Sequence, residues 1–128
     1  MSESNAELAR RGFAAISRGD YDTIAELLDP DVKWHAGDPT AEGACVNRNQ
    51  ALMWMRRRPE RRAGPLPELV DVVEAGDRVV AIMQPPPSDD DPSPRRTANL
   101  TTFREGKVVE MVHFDDAADA LAALGAPA

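Results

Sequence analysis

The pattern with the most chemical content is His113 and Asp115, two residues apart at and just past the end of a run, Val108 to Phe114, that reads as a β-strand. Alternation along a strand puts Val109, Met111, His113 and Asp115 on one face, opposite Val108, Glu110, Val112 and Phe114. Imidazole titrates near neutrality, and a carboxylate beside it can orient or charge it, so the pair suits a general base with its orienter. A plainer role also fits: His113 satisfies its nitrogens at the strand end while Asp115 or Asp116 caps the next helix. Asn99, which shares a strand face with Thr97 and Thr101, is either an oxyanion-stabilising amide or a structural hydrogen bonder.

Other chemistries find little support. His35 and His113 show no HxH or HxxxH spacing, and the single Cys45 allows neither a disulfide nor a thiolate pair, so we expect no metal and no cofactor. No serine sits in a nucleophile elbow, and phosphate-binding and dinucleotide fingerprints are absent. Arg56, Arg57, Arg58, Arg61 and Arg62, interrupted by Glu60, read as a solvated helix end, with an anionic ligand or an acidic partner surface as the alternative.

A net charge of −7 over 128 residues sets most of the surface against phosphate backbones, which argues against generic nucleic-acid binding. No apolar run approaches the ~20 residues of a membrane span. The opening Met1-Ser2-Glu3-Ser4 lacks the basic and apolar regions of a signal peptide, so a cytoplasmic location without a membrane partner is expected. With 42% hydrophobic and 29% charged residues, the composition is that of one globular domain, 1–128.

The elements that must position these groups follow from periodicity and punctuation. Ser4 and Glu7 have capping-box spacing before the stripe Leu8, Gly12, Ala15 and Ile16, which predicts a helix to about Arg18. Gly19-Asp20 breaks it, and Ile24, Leu27 and Leu28 predict a short second helix closed by Asp29-Pro30. Val32 to Ala36 alternates as a strand, with Val32 and Trp34 opposite Lys33 and His35. A loop through Gly43 and Cys45 leads to Asn47 and Gln50, which again have cap spacing, before a helix carrying Met53, Trp54 and Met55 and stopping at Pro59.

Two hairpins then follow, Glu68–Glu74 with Arg78–Gln84, and Arg96–Arg104 with Val108–Phe114. The proline- and aspartate-rich segment 85–95 between them is expected to be a mobile loop, because prolines cannot pair in a ladder. Ala117 to Leu124 predicts a terminal helix ended by Gly125. Helices first, then a meander, then a helix define an α+β domain with a mainly antiparallel sheet.

Three segments in this order resemble the NTF2-like superfamily, in its SnoaL-like and ketosteroid isomerase-like branch: Phe13 to Ile24, Asp31 to His35, and Phe103 to Asp115. The resemblance spans nearly the whole chain. It implies a cone, in which a bent sheet wraps around helices and encloses one apolar cavity, and a homodimer packed through the sheet. It also implies that the His113 face lines the cavity with Asn99, Thr97, Thr101 and Met111, and that Trp34 and Met83 form apolar walls.

The superfamily hosts many reactions, so the fold alone assigns none. The tyrosine, aspartate base and protonated aspartate of ketosteroid isomerases fall on Gly12, Ala36 and Asn99 here, and the Arg-x-Asp of the epoxide hydrolases falls on Thr97-Ala98-Asn99. Both reactions are therefore set aside. The acidic base that SnoaL-type polyketide cyclases carry near the last strand has His113 and Asp115 as its nearest counterparts. The resemblance thus implies a cofactor-independent cyclase, isomerase or dehydratase acting on a small apolar oxygenated molecule, with His113 as base, Asp115 as orienter and Asn99 as oxyanion donor. The alternative is a non-catalytic ligand-binding or dimerisation module.

Overall fold

The computed structural model describes residues 4–35, 47–61 and 67–125, with the side chains of 54 and 57–61 outside that description. Helix α1 (Asn5–Arg18) starts where Ser4 Oγ accepts the Glu7 N–H, and it ends at Gly19, whose φ of 70° suits glycine. Asp20 then caps α2 (Tyr21–Leu27), accepting the Thr23 N–H at 3.2 Å and the Thr23 hydroxyl at 2.7 Å. These bonds, with the Arg18 guanidinium 3.1 Å away, hold the Asp20 carboxyl below its ordinary pKa.

Strand β1 (Leu28–His35) begins earlier than the sequence suggested, because Asp29-Pro30 lies inside it instead of merely closing α2. As an edge strand with an irregular register between Leu28 and Lys33, β1 needs no ladder donor from Pro30. Helix α3 (Arg48–Arg61) likewise runs through Pro59 instead of stopping there. Pro59 has no N–H to give to the Met55 carbonyl, so the helix forgoes one ladder bond near its C-terminal end.

Strands β2 (Glu68–Ala75), β3 (Arg78–Gln84), β4 (Thr97–Arg104) and β5 (Lys107–Phe114) form the meander, followed by α4 (Ala117–Leu124). The sheet order is β1-β5-β4-β3-β2, antiparallel throughout except where β1 runs parallel to β5. Glu105 and Gly106, both at positive φ, make the two-residue turn between β4 and β5. Gln84 grips the 85–96 connection, its amide donating to the Pro94 carbonyl at 2.9 Å, and Ser88 and Asp91 close a turn by mutual backbone bonds.

The central strands are buried on both faces. Inside, Val79, Phe103, Val108 and Met111 pack with Leu8, Ile24, Leu27 and Met55 of the three N-terminal helices. Outside, Val80, Ile82, Ala98 and Leu100 pack under Ala117, Ala120 and Leu124 of α4. Arg78 donates to the Leu124 carbonyl at 2.7 Å and ties the end of α4 to β3. This is the NTF2-like α+β architecture. No described helix is long and apolar enough to cross a membrane.

The lowered Asp20 pKa fixes the sign of one pH effect. A carboxylate held below its unfolded value stabilises the fold above pH about 4 and loses that contribution as pH falls through its folded pKa. Asp20→Asn still caps α2 but cannot ionise, so its urea midpoint should fall short of the wild type at pH 7 and converge with it in acid. An equal gap at both pH values would show that the carboxylate charge contributes nothing.

Candidate functional site

The cavity lies between the inner face of the sheet and helices α1, α2 and α3. Leu8 and Gly12 of α1, Leu27 of α2 and Met55 of α3 form its helical side, and Trp34, Phe103 and Met111 lie among the sheet residues opposite. Gly12 stands where the resemblance places a tyrosine. A Cβ added there would approach Leu27 Cδ1 at an ordinary 3.5 Å. The cavity volume is about 80 Å³, and it is partly open to solvent. That is roughly half of a ~150 Å³ engineered cavity that admits benzene, so even a six-membered ring must project partly through the opening.

Two polar side chains interrupt the apolar wall, the Asn99 amide and the Thr101 hydroxyl; Trp34 also lines it, but its indole nitrogen is closed off from the accessible space. No lining side chain is ionisable near neutrality. The cavity therefore favours neutral oxygen functions on an apolar frame and offers a charged ligand no counter-ion among these residues.

His113 lies on the same inner face as Asn99, Thr101 and Met111 but is not among the residues that line the cavity. Its Nδ1 is 2.8 Å from Asn99 Oδ1, and because an amide oxygen only accepts, the imidazole Nδ1–H is the donor. With Oδ1 engaged by the ring, the Asn99 NH₂ is the half of the amide left to serve a bound oxygen. On the far side of the ring, Nε2 is 3.4 Å from Asp115 Oδ1, which is fully solvent-exposed. The cap of α4 is Asp116, whose carboxylate accepts the Ala118 N–H at 2.9 Å, so Asp115 is not spent on that role.

The strand register explains the Asn99 and His113 pairing. Arg104 opposes Lys107 and Phe103 opposes Val108, but Thr102 opposes Glu110, so one extra residue, Val109, bulges from β5. Beyond the bulge Thr101 faces Met111 and Asn99 faces His113. Simple alternation put Val108 on the face opposite Met111; the bulge instead puts both in the inner core.

Thr101, Met111, Trp34 and Asn99 border the cavity, whereas Met83 and Thr97 do not. The latter two oppose each other at the next inward position along β3 and β4, beyond Ala81 and Asn99. His35 pairs with Glu110 at 3.6 Å, away from Trp34 and the cavity. Arg56 stacks over the Tyr21 ring at 5.4 Å. Ala36, the Gly43 to Cys45 loop, the Trp54 side chain and the side chains of Arg57, Arg58, Glu60, Arg61 and Arg62 lie outside the described residues. Among the described residues no three His, Cys, Asp or Glu side chains converge as a metal site would require.

Sequence reasoning missed the helical half of the wall, Leu8, Gly12, Phe13 and Leu27, although the stripe on α1 held the signal. It placed both Asn99 and His113 in the lining, and of the two only Asn99 borders the cavity.

An α+β fold whose sheet and N-terminal helices enclose an apolar, partly open cavity is of the NTF2-like type. The chain belongs to the SnoaL-like domain family, whose profile matches residues 9–111. Solved structures agree on the fold. Bal32a, from a soil-derived mobile gene cassette, is 25% identical with a TM-score of 0.68, covering 85% of this chain and 86% of that one. TerC, co-crystallised with polyporic acid, is 19% identical at a TM-score of 0.68, with 94% and 97% covered. A Sinorhizobium meliloti protein provisionally named a polyketide cyclase is 15% identical at 0.66, with 84% and 93% covered. Among curated proteins, no sequence matches significantly.

The pairing of Asn99 with His113 predicts a charge response. Asn99→Asp places a carboxylate against Nδ1, which favours the imidazolium, so the His113 titration followed by NMR should move to higher pH. An unmoved midpoint would mean that the two side chains are apart in solution.

Proposed function

We propose that this protein binds a small, apolar, oxygen-bearing metabolite inside the cone, with the Asn99 NH₂ donating to a carbonyl or hydroxyl oxygen. The observation that carries this reading is an amide on the wall of an otherwise apolar cavity, its oxygen tied back by His113 at 2.8 Å. Burial of the apolar frame supplies affinity, and the fixed amide selects for an oxygen at one place. TerC's co-crystallisation with polyporic acid supports an oxygenated organic ligand for this type of fold.

Catalysis is the second reading, favoured by the Asn99, His113 and Asp115 row. If the bound molecule has a C–H next to a carbonyl, an amide donor at the oxygen stabilises the enolate that cyclisation, isomerisation and dehydration share. The Nδ1–H of His113, bonded to Asn99 Oδ1, polarises the amide and strengthens its donation. In this reading His113 and Asp115 act through Asn99, and a base must come from outside the cavity wall described above. A homodimer through the sheet, which the resemblance implies, would have to accommodate α4, which covers the outer face of β3 and β4.

Binding and turnover are separable by experiment. Small cyclic ketones titrated into the protein should perturb the NMR signals of Asn99 and Met111, and Asn99→Leu should weaken binding about five- to tenfold, the value of one net hydrogen bond. Equal affinity in the variant would remove Asn99 from the ligand. In D₂O, protein-dependent deuteration of the ketone α-carbon that is lost in His113→Ala would establish the catalytic reading. Exchange no faster than in buffer would leave binding alone.

A further inference from the structure

Thr101 sits in the middle of β4, lines the cavity, and is only partly buried. Its cross-strand neighbours, Val79 on β3 and Met111 on β5, are both buried, so the accessible part of Thr101 faces the cavity. None of the side chains around it is a strong partner for a hydroxyl. Val79 and Phe103 are hydrocarbon, Met111 carries only a weakly accepting sulfur, and the oxygen of Asn99, two positions back along β4, is bonded to His113. Among the described residues the Thr101 hydroxyl has no hydrogen-bond partner. A valine has nearly the same shape and would put no polar group into the apolar wall.

We infer that Thr101 is a specificity-determining residue whose hydroxyl reads a hydroxyl on the ligand, so that the cavity selects hydroxy ketones over simple ketones. The inference rests on the pocket reading above and narrows its ligand class. Asn99 and Thr101 are two residues apart on one face of one strand, about 7 Å along its axis, and so meet a ligand at two points. The two groups are chemically unlike. The half of the Asn99 amide left by His113 only donates and selects an acceptor oxygen, whereas the Thr101 hydroxyl also accepts. It is therefore the group on this wall that can take the proton of a ligand hydroxyl. A small ring with a carbonyl at one end and a hydroxyl at the other matches this arrangement. Neither anchor is charged, so a carboxylate or phosphate in place of the ligand hydroxyl would be desolvated without a counter-ion.

The test titrates 4-hydroxycyclohexanone and cyclohexanone into the intact chain and follows both by NMR. Thr101→Val should weaken the hydroxy ketone about fivefold more than it weakens cyclohexanone, the scale of one net hydrogen bond. Thr101→Ser keeps the hydroxyl and should preserve the wild-type ratio of the two affinities. In the wild type the Thr101 methyl signal should move further at saturation with the hydroxy ketone than with cyclohexanone. If Thr101→Val leaves the ratio of affinities unchanged, or Thr101→Ser loses it as the valine does, Thr101 is wall only and the inference falls, while the pocket reading stands. If neither ligand binds the wild type, both fall. The methyl shift is read in the wild-type chain, so an unstable variant leaves the test decisive: equal shifts with the two ligands overturn the inference.

Discussion

A single extra residue in β5 decides what this cone contains. The turn at Glu105-Gly106 starts the β4 and β5 ladder, and without a bulge that ladder would set Asn99 against Val112. The bulge at Val109 advances the register by one, so His113 faces Asn99 and Met111 faces Thr101. It also lets Val108 and Met111, which simple alternation would place on opposite faces, share the inner core. The site is thus a consequence of register.

That register is held from both sides. On β4, Asn99 and Thr101 face the cavity while Ala98 and Leu100 lie under α4. A slip of one residue would bury the polar set against α4 and turn Ala98 and Leu100 toward the helices of the inner face. The ~25 cal/mol per Å² of apolar burial, summed over two layers, opposes any such change. Arg78, bonded to the end of α4, fastens the outer layer to the strand that pairs with β4. A polar couple can therefore persist in an apolar cone because its backbone has no alternative placement.

Much of this was legible in the residues, and the failures are instructive. Local signals worked: Ser4 as a cap, Asp115 or Asp116 as the next, of which the structure uses Asp116, and Gly19 and Gly125 as helix ends are short-range chemistry that a window of sequence contains. Long-range pairing did not. The parallel contact of β1 with β5 joins Leu28 to Val108, and no local pattern encodes it. The Val109 bulge left no glycine or proline to announce it, so strict alternation misplaced Val108. His113 was read as projecting into the cavity; it shares the inner face with Asn99, opposite it across the strands, but is not among the lining residues. The Trp34 indole N–H, buried without an acceptor among the described residues, left no sign in the sequence, where an indole simply reads as core.

The most direct test of this account is a crystal structure of the protein soaked with a small cyclic ketone. The account predicts density inside the cone with the ketone oxygen about 3 Å from Asn99 Nδ2, while Asn99 Oδ1 remains bonded to His113 Nδ1. A cone whose lining side chains have closed over the space, or an Asn99 turned away from it with His113 unbonded, would contradict the account.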